Sequence, residues 1–321
     1  MIIDTEALLC YRFFPLYGRE TKKVYWSPKR DRSWEFTLAN PMTNREFTSD
    51  LFLAEMDRAG VDKAIVQTVY PEDFRQFFEY FGASLENYVG GKEYTLSFLN
   101  NNNETRNRLL WFNCINLNRK GSFEGIAQDI KDGVRGFKTF PRWHFFRIDD
   151  AKMMELYQTC SENKLPVGLG LENSWRGTYD HRSMTEQIAG VTRKYDDVNF
   201  LIDHAGLTVA GEGCVSPEDP EVQPFFDMVN KRENIYLGCY FLMPPGHEVE
   251  EYPFPTSLKW LKMVVKRVGV EKLTWASDYP FSENHAKYVQ MIDWIRRHAD
   301  FLSEEERAMV LGGNAKRYLR L

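Results

Sequence analysis

Val198-Asn199-Phe200-Leu201-Ile202-Asp203-His204 is a short apolar run, closed by Ala205-Gly206 and followed by a helix-period stretch from Pro220 to Lys231. A run of this length bounded by turn residues reads as a buried strand, and a helical stretch between two such runs reads as the crossover of a parallel sheet. Working outward along the chain, the same kind of run recurs at Ile2 to Leu9, Lys63 to Val69, Leu110 to Ile115, Val134 to Phe140, Pro166 to Leu171, Ile235 to Tyr240 and Leu273 to Asp278. Helical patterns fill most of the gaps, at Ser49 to Ala59, Gly121 to Asp132, Asp150 to Asn163, His181 to Lys194 and Ser257 to Val268. This alternation predicts an α/β fold, and eight strands at this length favour a closed (β/α)8 barrel over an open sheet.

The 321 residues, 43% apolar and 27% charged, can bury a substantial core, and one barrel domain over residues 1–321 is expected. Two intervals, residues 11–48 and 74–106, are too long for ordinary connections. Loops after barrel strands lie at the C-terminal face, so both are expected to cover an active site there; packing outside the barrel or at an oligomer interface is the alternative. A net charge of −5 and the absence of any Lys/Arg block argue against nucleic acid or a membrane surface as partner. A small-molecule substrate is the expected partner, and a homo-oligomer is compatible with the sequence. Met1-Ile2-Ile3-Asp4 has no basic flank leading into an apolar stretch, and no window approaches the roughly 18 apolar residues of a membrane span, so a cytoplasmic protein is expected. The five cysteines are scattered, without metal-ligand or disulfide-framework spacing, and read as buried thiols.

Several strings, in order, resemble the amidohydrolase superfamily, in its branch of aminocarboxymuconate decarboxylase-like proteins. Ile2-Ile3-Asp4-Thr5 resembles the first strand, and Met56-Asp57-Arg58-Ala59-Gly60-Val61-Asp62 the helix-to-strand passage after it. Val134-Arg135-Gly136-Phe137-Lys138 is similar to the fourth strand, Leu165-Pro166-Val167 to the fifth and Leu201-Ile202-Asp203-His204-Ala205-Gly206 to the sixth. Ala276-Ser277-Asp278-Tyr279-Pro280-Phe281 resembles the eighth, and Gly312-Gly313-Asn314-Ala315 the last helix. The resemblance implies a metal bound by His-x-His on strand one, His on strands five and six, and Asp on strand eight. In this chain those positions hold Glu6, Leu8, Gly170, His204 and Asp278. Leucine and glycine offer no side-chain lone pair, and a catalytic divalent ion needs about three protein ligands, so no metal is expected. If one is present, it is a single Zn or Mn held by Glu6, His204 and Asp278, because some decarboxylases of the superfamily place Glu on strand one.

Asp278 sits where a barrel strand gives way to its loop, and a carboxylate there can serve as general base. A turn role for Ser277-Asp278-Tyr279-Pro280 is the plainer alternative. His204 ends the sixth strand and can polarise a carbonyl or meet an oxyanion. Lys138 offers a positive charge on strand four. Glu6 sets the local charge; otherwise it simply pairs with Lys138 or Arg12. Arg142, Trp143 and His144, in a segment that also holds Arg147, mix cations with aromatics as a pocket for a planar anion would, or else fill space beneath a loop. With Tyr240 and Tyr279 they are the expected substrate-binding residues. Together these residues suggest hydrolysis of an ester, lactone or amide bond in a small aromatic or carboxylated molecule. The alternatives are metal-dependent nonoxidative decarboxylation of an aromatic acid, and a non-catalytic binding protein on the same fold.

Overall fold

The computed structural model describes residues 1–9, 21–25, 33–37, 48–74, 90–142, 144–171, 181–209, 213–214, 216–240, 250–280, 282 and 286–321. Its centre is one sheet of eight strands: β1 (Ile3–Leu9), β2 (Lys63–Thr68), β3 (Leu109–Cys114), β4 (Gly136–Thr139), β5 (Val167–Leu169), β6 (Phe200–Ile202), β7 (Ile235–Cys239) and β8 (Leu273–Trp275). The strands lie in chain order, each parallel to the next. The residues after β8 return to β1. Asp278 N–H donates to Glu6 O at 3.0 Å, Leu8 N–H donates to Tyr279 O at 2.8 Å, and Ala7 pairs in parallel with Tyr279. These bonds bring the sheet round into a (β/α)8 barrel.

Each expected run holds one of these strands, except that β3 begins one residue before its run, at Leu109. The runs ending in His204 and Asp278 stop being strand early, at Ile202 and Trp275, because the chain leaves the ladder there to form turns at the barrel mouth.

Helices α1 (Ser49–Ala59), α2 (Lys92–Leu99), α3 (Asn103–Arg108), α4 (Ile126–Lys131), α5 (Ala151–Asn163), α6 (His181–Lys194), α7 (Gln223–Asn230), α8 (Pro255–Val268), α9 (Tyr288–Arg296), α10 (Glu304–Ala308) and α11 (Asn314–Leu319) complete the layer outside the sheet. Helix α1 shows how local sequence sets these limits. The Thr48 side chain accepts the Leu51 N–H at 3.2 Å, Gly60 ends the helix at φ 73°, and Phe52, Leu53, Met56 and Ala59 form its buried stripe. Helices α2 and α3 occupy residues 92–108, so the described part of the expected second insertion is the crossover from β2 to β3; residues 75–89 lie outside the described residues. Within 11–48, Thr21–Tyr25 pairs antiparallel with Ser33–Thr37, and the expected cover over the mouth otherwise lies outside the described residues.

A large apolar core lies between strands and helices. A smaller one fills the barrel's N-terminal end, where Ile3, Ile65, Leu110, Phe112, Leu201 and Tyr236 meet Tyr318 and Leu319 of α11. With that end plugged by apolar side chains, the charged groups of Glu6, Lys138 and Asp203 lie toward the C-terminal ends of the strands. No described helix is long and apolar enough to cross a membrane.

Candidate active site

Side chains alternate along a strand, so two residues beyond the apolar plug the same inner face turns polar: Ile65 is followed by Gln67 and Leu201 by Asp203. Strand β1 departs from this rhythm. Its register against β2 slips between Asp4 and Ala7, a bulge that adds a residue and turns the Glu6 carboxylate inward. Lys138 Nζ donates to Glu6 Oε1 at 3.0 Å and to Asp203 Oδ2, while Gln67 Nε2 donates to Glu6 Oε1 at 3.1 Å. Glu6, Lys138 and Asp203 are 2%, 1% and 0% exposed. Charges this deep persist only when paired and hydrogen-bonded, and here one ammonium serves two carboxylates. Gly168, opposite Lys138 on β5, makes room for the lysine stem, since a Cβ there would stand 2.7 Å from Lys138 Cδ.

His204 and Asp278 are the partly exposed members of the constellation. If β6 simply continued, His204 would face away from Asp203. Instead the chain turns left-handed over three residues, with φ 49° at His204, 53° at Ala205 and 69° at Gly206. Residues with a Cβ pay for that region, so the surroundings must hold the turn in place. Leu207 N–H donates to His204 O at 3.0 Å, and His181 Nε2 lies 2.9 Å from Gly206 O. Burial pulls the His181 imidazole below its ordinary range, which favours the neutral ring that donates from Nε2. The Phe225 ring packs under Gly206, where a Cβ would meet it at 2.2 Å. The His204 ring stands edge-on to Tyr240 with centroids 4.1 Å apart. Asp278 also has positive φ, 53°, and its bond to Glu6 O places the two acidic residues side by side on the closing seam.

Beneath that seam lies Asp4, fully buried. Its Oδ1 accepts the N–H groups of Glu6 at 3.1 Å and Ser277 at 2.9 Å; its Oδ2 accepts Ser277 Oγ–H at 2.6 Å and Tyr288 O–H at 2.9 Å. Burial pushes its carboxyl up to about 7 despite these donors.

The expected substrate-binding residues divide. Arg142 is buried and donates from Nη1 to Leu171 O at 3.0 Å, and His144 lies between Phe140 and Phe146, with centroids 6.0 and 6.2 Å away. Trp143 lies outside the described residues. Arg147 does not join them: it is exposed and bonds Asp149 at 2.7 and 2.9 Å. Tyr240 is at the mouth beside His204. Tyr279 is not, because it follows Asp278 and turns to the other side of the chain. Its ring stacks on Phe52 at 5.4 Å and meets Tyr288 at 5.1 Å, in the layer between barrel and helices. The residues that sequence reasoning missed are Asp203, Gln67 and Asp4. Asp203 had a signal, since it shares a strand face with Leu201, one residue before a histidine already singled out.

Among the described residues, the donors at the mouth do not make up a three-ligand set for a divalent ion. Leu8 has no lone pair, Glu6 and Asp203 are both engaged by the Lys138 ammonium, and among the described residues no three His, Cys, Asp or Glu side chains are grouped as a metal would need.

The amidohydrolase family model matches residues 106–321. No curated protein sequence matches the chain. Among solved structures, a probable 2-pyrone-4,6-dicarboxylic acid hydrolase of Acinetobacter baumannii, with citric acid bound, is 14% identical with a TM-score of 0.62, over 100% of this chain and 99% of that one. A Burkholderia multivorans amidohydrolase with bound zinc is 13% identical with a TM-score of 0.62, over 100% and 99%. A 2,6-dihydroxybenzoate decarboxylase in complex with 2,6-dihydroxybenzoate is 15% identical with a TM-score of 0.55, over 85% and 88%. At these identities the likeness is one of fold.

Proposed function

Because the chain belongs to the amidohydrolase family, we propose that it hydrolyses an ester, lactone or amide bond of a small aromatic or carboxylated molecule, without a resident metal. The observation that carries this reading is the position of Asp278, partly exposed at the mouth and bonded through its backbone to Glu6, whose carboxylate is paired with the buried Lys138.

In this reading Asp278 takes a proton from water as the water oxygen bonds to the substrate carbonyl carbon. His204 stabilises the oxyanion that develops, and Lys138 offsets the Glu6 and Asp203 carboxylates that would otherwise repel it. Glu6 and Asp203 hold Lys138 in place. When the tetrahedral intermediate collapses, the carbon–heteroatom bond breaks and the leaving oxygen or nitrogen receives the proton from Asp278. An activated ester or lactone suits this chemistry best, because its carbonyl needs less Lewis-acid help than an amide. Arg142, His144 and Tyr240, with Trp143, are the proposed substrate-binding residues. Two structural neighbours, the probable 2-pyrone-4,6-dicarboxylic acid hydrolase and the 2,6-dihydroxybenzoate decarboxylase, support a small carboxylated ring as the substrate class.

A panel of carboxylated lactones, aryl esters and hydroxybenzoic acids, assayed with and without EDTA, tests the proposal. Gain of water by a lactone or ester, resistant to EDTA, is expected. With that substrate, Asp278→Asn lowers turnover by roughly 10²–10⁴ with little change in affinity, and His204→Ala also lowers turnover more than binding. Release of carbon dioxide, lost with EDTA and restored by one divalent ion, would replace the hydrolase by the decarboxylase and make Glu6, His204 and Asp278 ligands. Tight binding without turnover of any panel member would favour the binding protein.

A further inference from the structure

We propose that Asp4 is a positioning residue for the reaction, a buried carboxylate that fixes Glu6 and Asp278 relative to each other across the closing seam of the barrel. The proposal rests on the reading of Asp278 as general base.

The seam lacks a regular ladder. On the β1 side the bulge between Asp4 and Ala7 breaks the register, and on the other side β8 has already ended at Trp275. Buried N–H groups left there need acceptors, and the Asp4 carboxylate provides them by taking the N–H of Glu6 and of Ser277 on one oxygen. Glu6 is a cluster residue, and Ser277 immediately precedes Asp278. Ser277 Oγ ties the second carboxylate oxygen to the same corner and accepts Tyr279 N–H at 3.1 Å. Tyr288 of α9 holds that oxygen from the helix side at 2.9 Å. One side chain therefore reaches the residue before Asp278, the backbone of Glu6 and the surrounding helix layer. A core built only for stability has cheaper options than a fully buried carboxylate, whose burial costs more than its donors recover. Its geometric return is the fixed placement of Asp278 at φ 53°, a conformation that needs support on both sides.

Kinetics of Asp4→Asn, Tyr288→Phe and Asp4→Asn/Asp278→Asn, each with an unfolding curve, test this. Asn keeps the shape and one carbonyl acceptor, and Tyr288→Phe removes a single hydrogen bond should Asp4→Asn fail to fold. The expected result is a fall in kcat of roughly 10- to 100-fold for Asp4→Asn, the scale of an ångström-sized misplacement, with KM little changed. Tyr288→Phe lowers kcat less. In the Asp278→Asn background the Asp4 substitution then adds almost nothing, since its effect passes through Asp278. Folded Asp4→Asn or Tyr288→Phe protein with wild-type kcat overturns the proposal, and so does an equal fall with and without Asp278. Failure of the underlying reading shows separately, as wild-type turnover in Asp278→Asn alone.

Discussion

Lys138 is the residue on which the interior charge balance turns. Without its ammonium, Glu6 and Asp203 are two carboxylates in a space closed to water. Lys138→Met keeps the stem that runs past Gly168 but strands both acids. Breaking a buried pair in this way costs about 3–5 kcal/mol. The urea midpoint of Lys138→Met is expected to fall accordingly. Lys138→Met/Asp203→Asn is expected to recover part of the loss, because one of the stranded charges is then gone. A wild-type midpoint for Lys138→Met would mean that the pair contributes no net stability. A lysine beside Glu6 was readable in the sequence as one possible partner; that it is shared with Asp203 was not, because that depends on three strands converging.

At the scale of the element, the left-handed turn after β6 is the most constrained piece of the mouth. Gly206→Ala places a Cβ at φ 69° and drives it into the Phe225 ring. Overpacking of this kind costs about 1–3 kcal/mol, and relief requires the turn to move. Lower stability together with lower turnover is the expected outcome, checked by thermal unfolding and kinetics on the same preparation; a stability loss with unchanged kcat would separate the turn from the chemistry. Elements were the most legible level of the sequence. Barrel strands are buried on both faces and leave continuous apolar runs, which is why all eight could be located. Their exits were harder. Sequence reading grouped Tyr279 with Asp278 at the mouth, whereas the left-handed turn at Asp278 sends the Tyr279 ring against Phe52 and Tyr288 in the layer between barrel and helices. The bulge between Asp4 and Ala7 has no local signature either: Asp4-Thr5-Glu6-Ala7 contains neither Gly nor Pro, and only the partners of Glu6 and Asp4 impose the extra residue.

For the whole molecule, two buried carboxyls set a pH dependence. Burial raises Asp4 from 3.8 to about 7, and raises Asp73 from 3.8 to about 6 although Arg119 and Asn116 pull the other way. Both groups hold their protons more tightly in the folded chain than in the unfolded one. Across the interval from about pH 4 to about pH 7 the unfolded state therefore binds fewer protons at these sites, and their contribution to stability falls as pH rises. Asp4→Asn and Asp73→Asn should each flatten that part of the stability profile, measured as Tm against pH; profiles parallel to wild type would show that these carboxyls do not titrate there.

The closing seam also governs the order in which the fold is assembled. Asp4 meets Ser277 and Tyr288, Glu6 O receives Asp278 N–H, and Ile3 packs in the cluster that α11 completes. Every one of these partners is made near the far end of the chain. While the ribosome is still building the middle strands, β1 can pair with β2 but keeps an unpaired edge, and the Asp4 carboxylate is without Ser277 and Tyr288. Contacts of such long sequence separation are slow to form and leave that edge open to wrong pairings. The join that places the candidate base beside Glu6 in the finished barrel is, during synthesis, an edge in need of shelter.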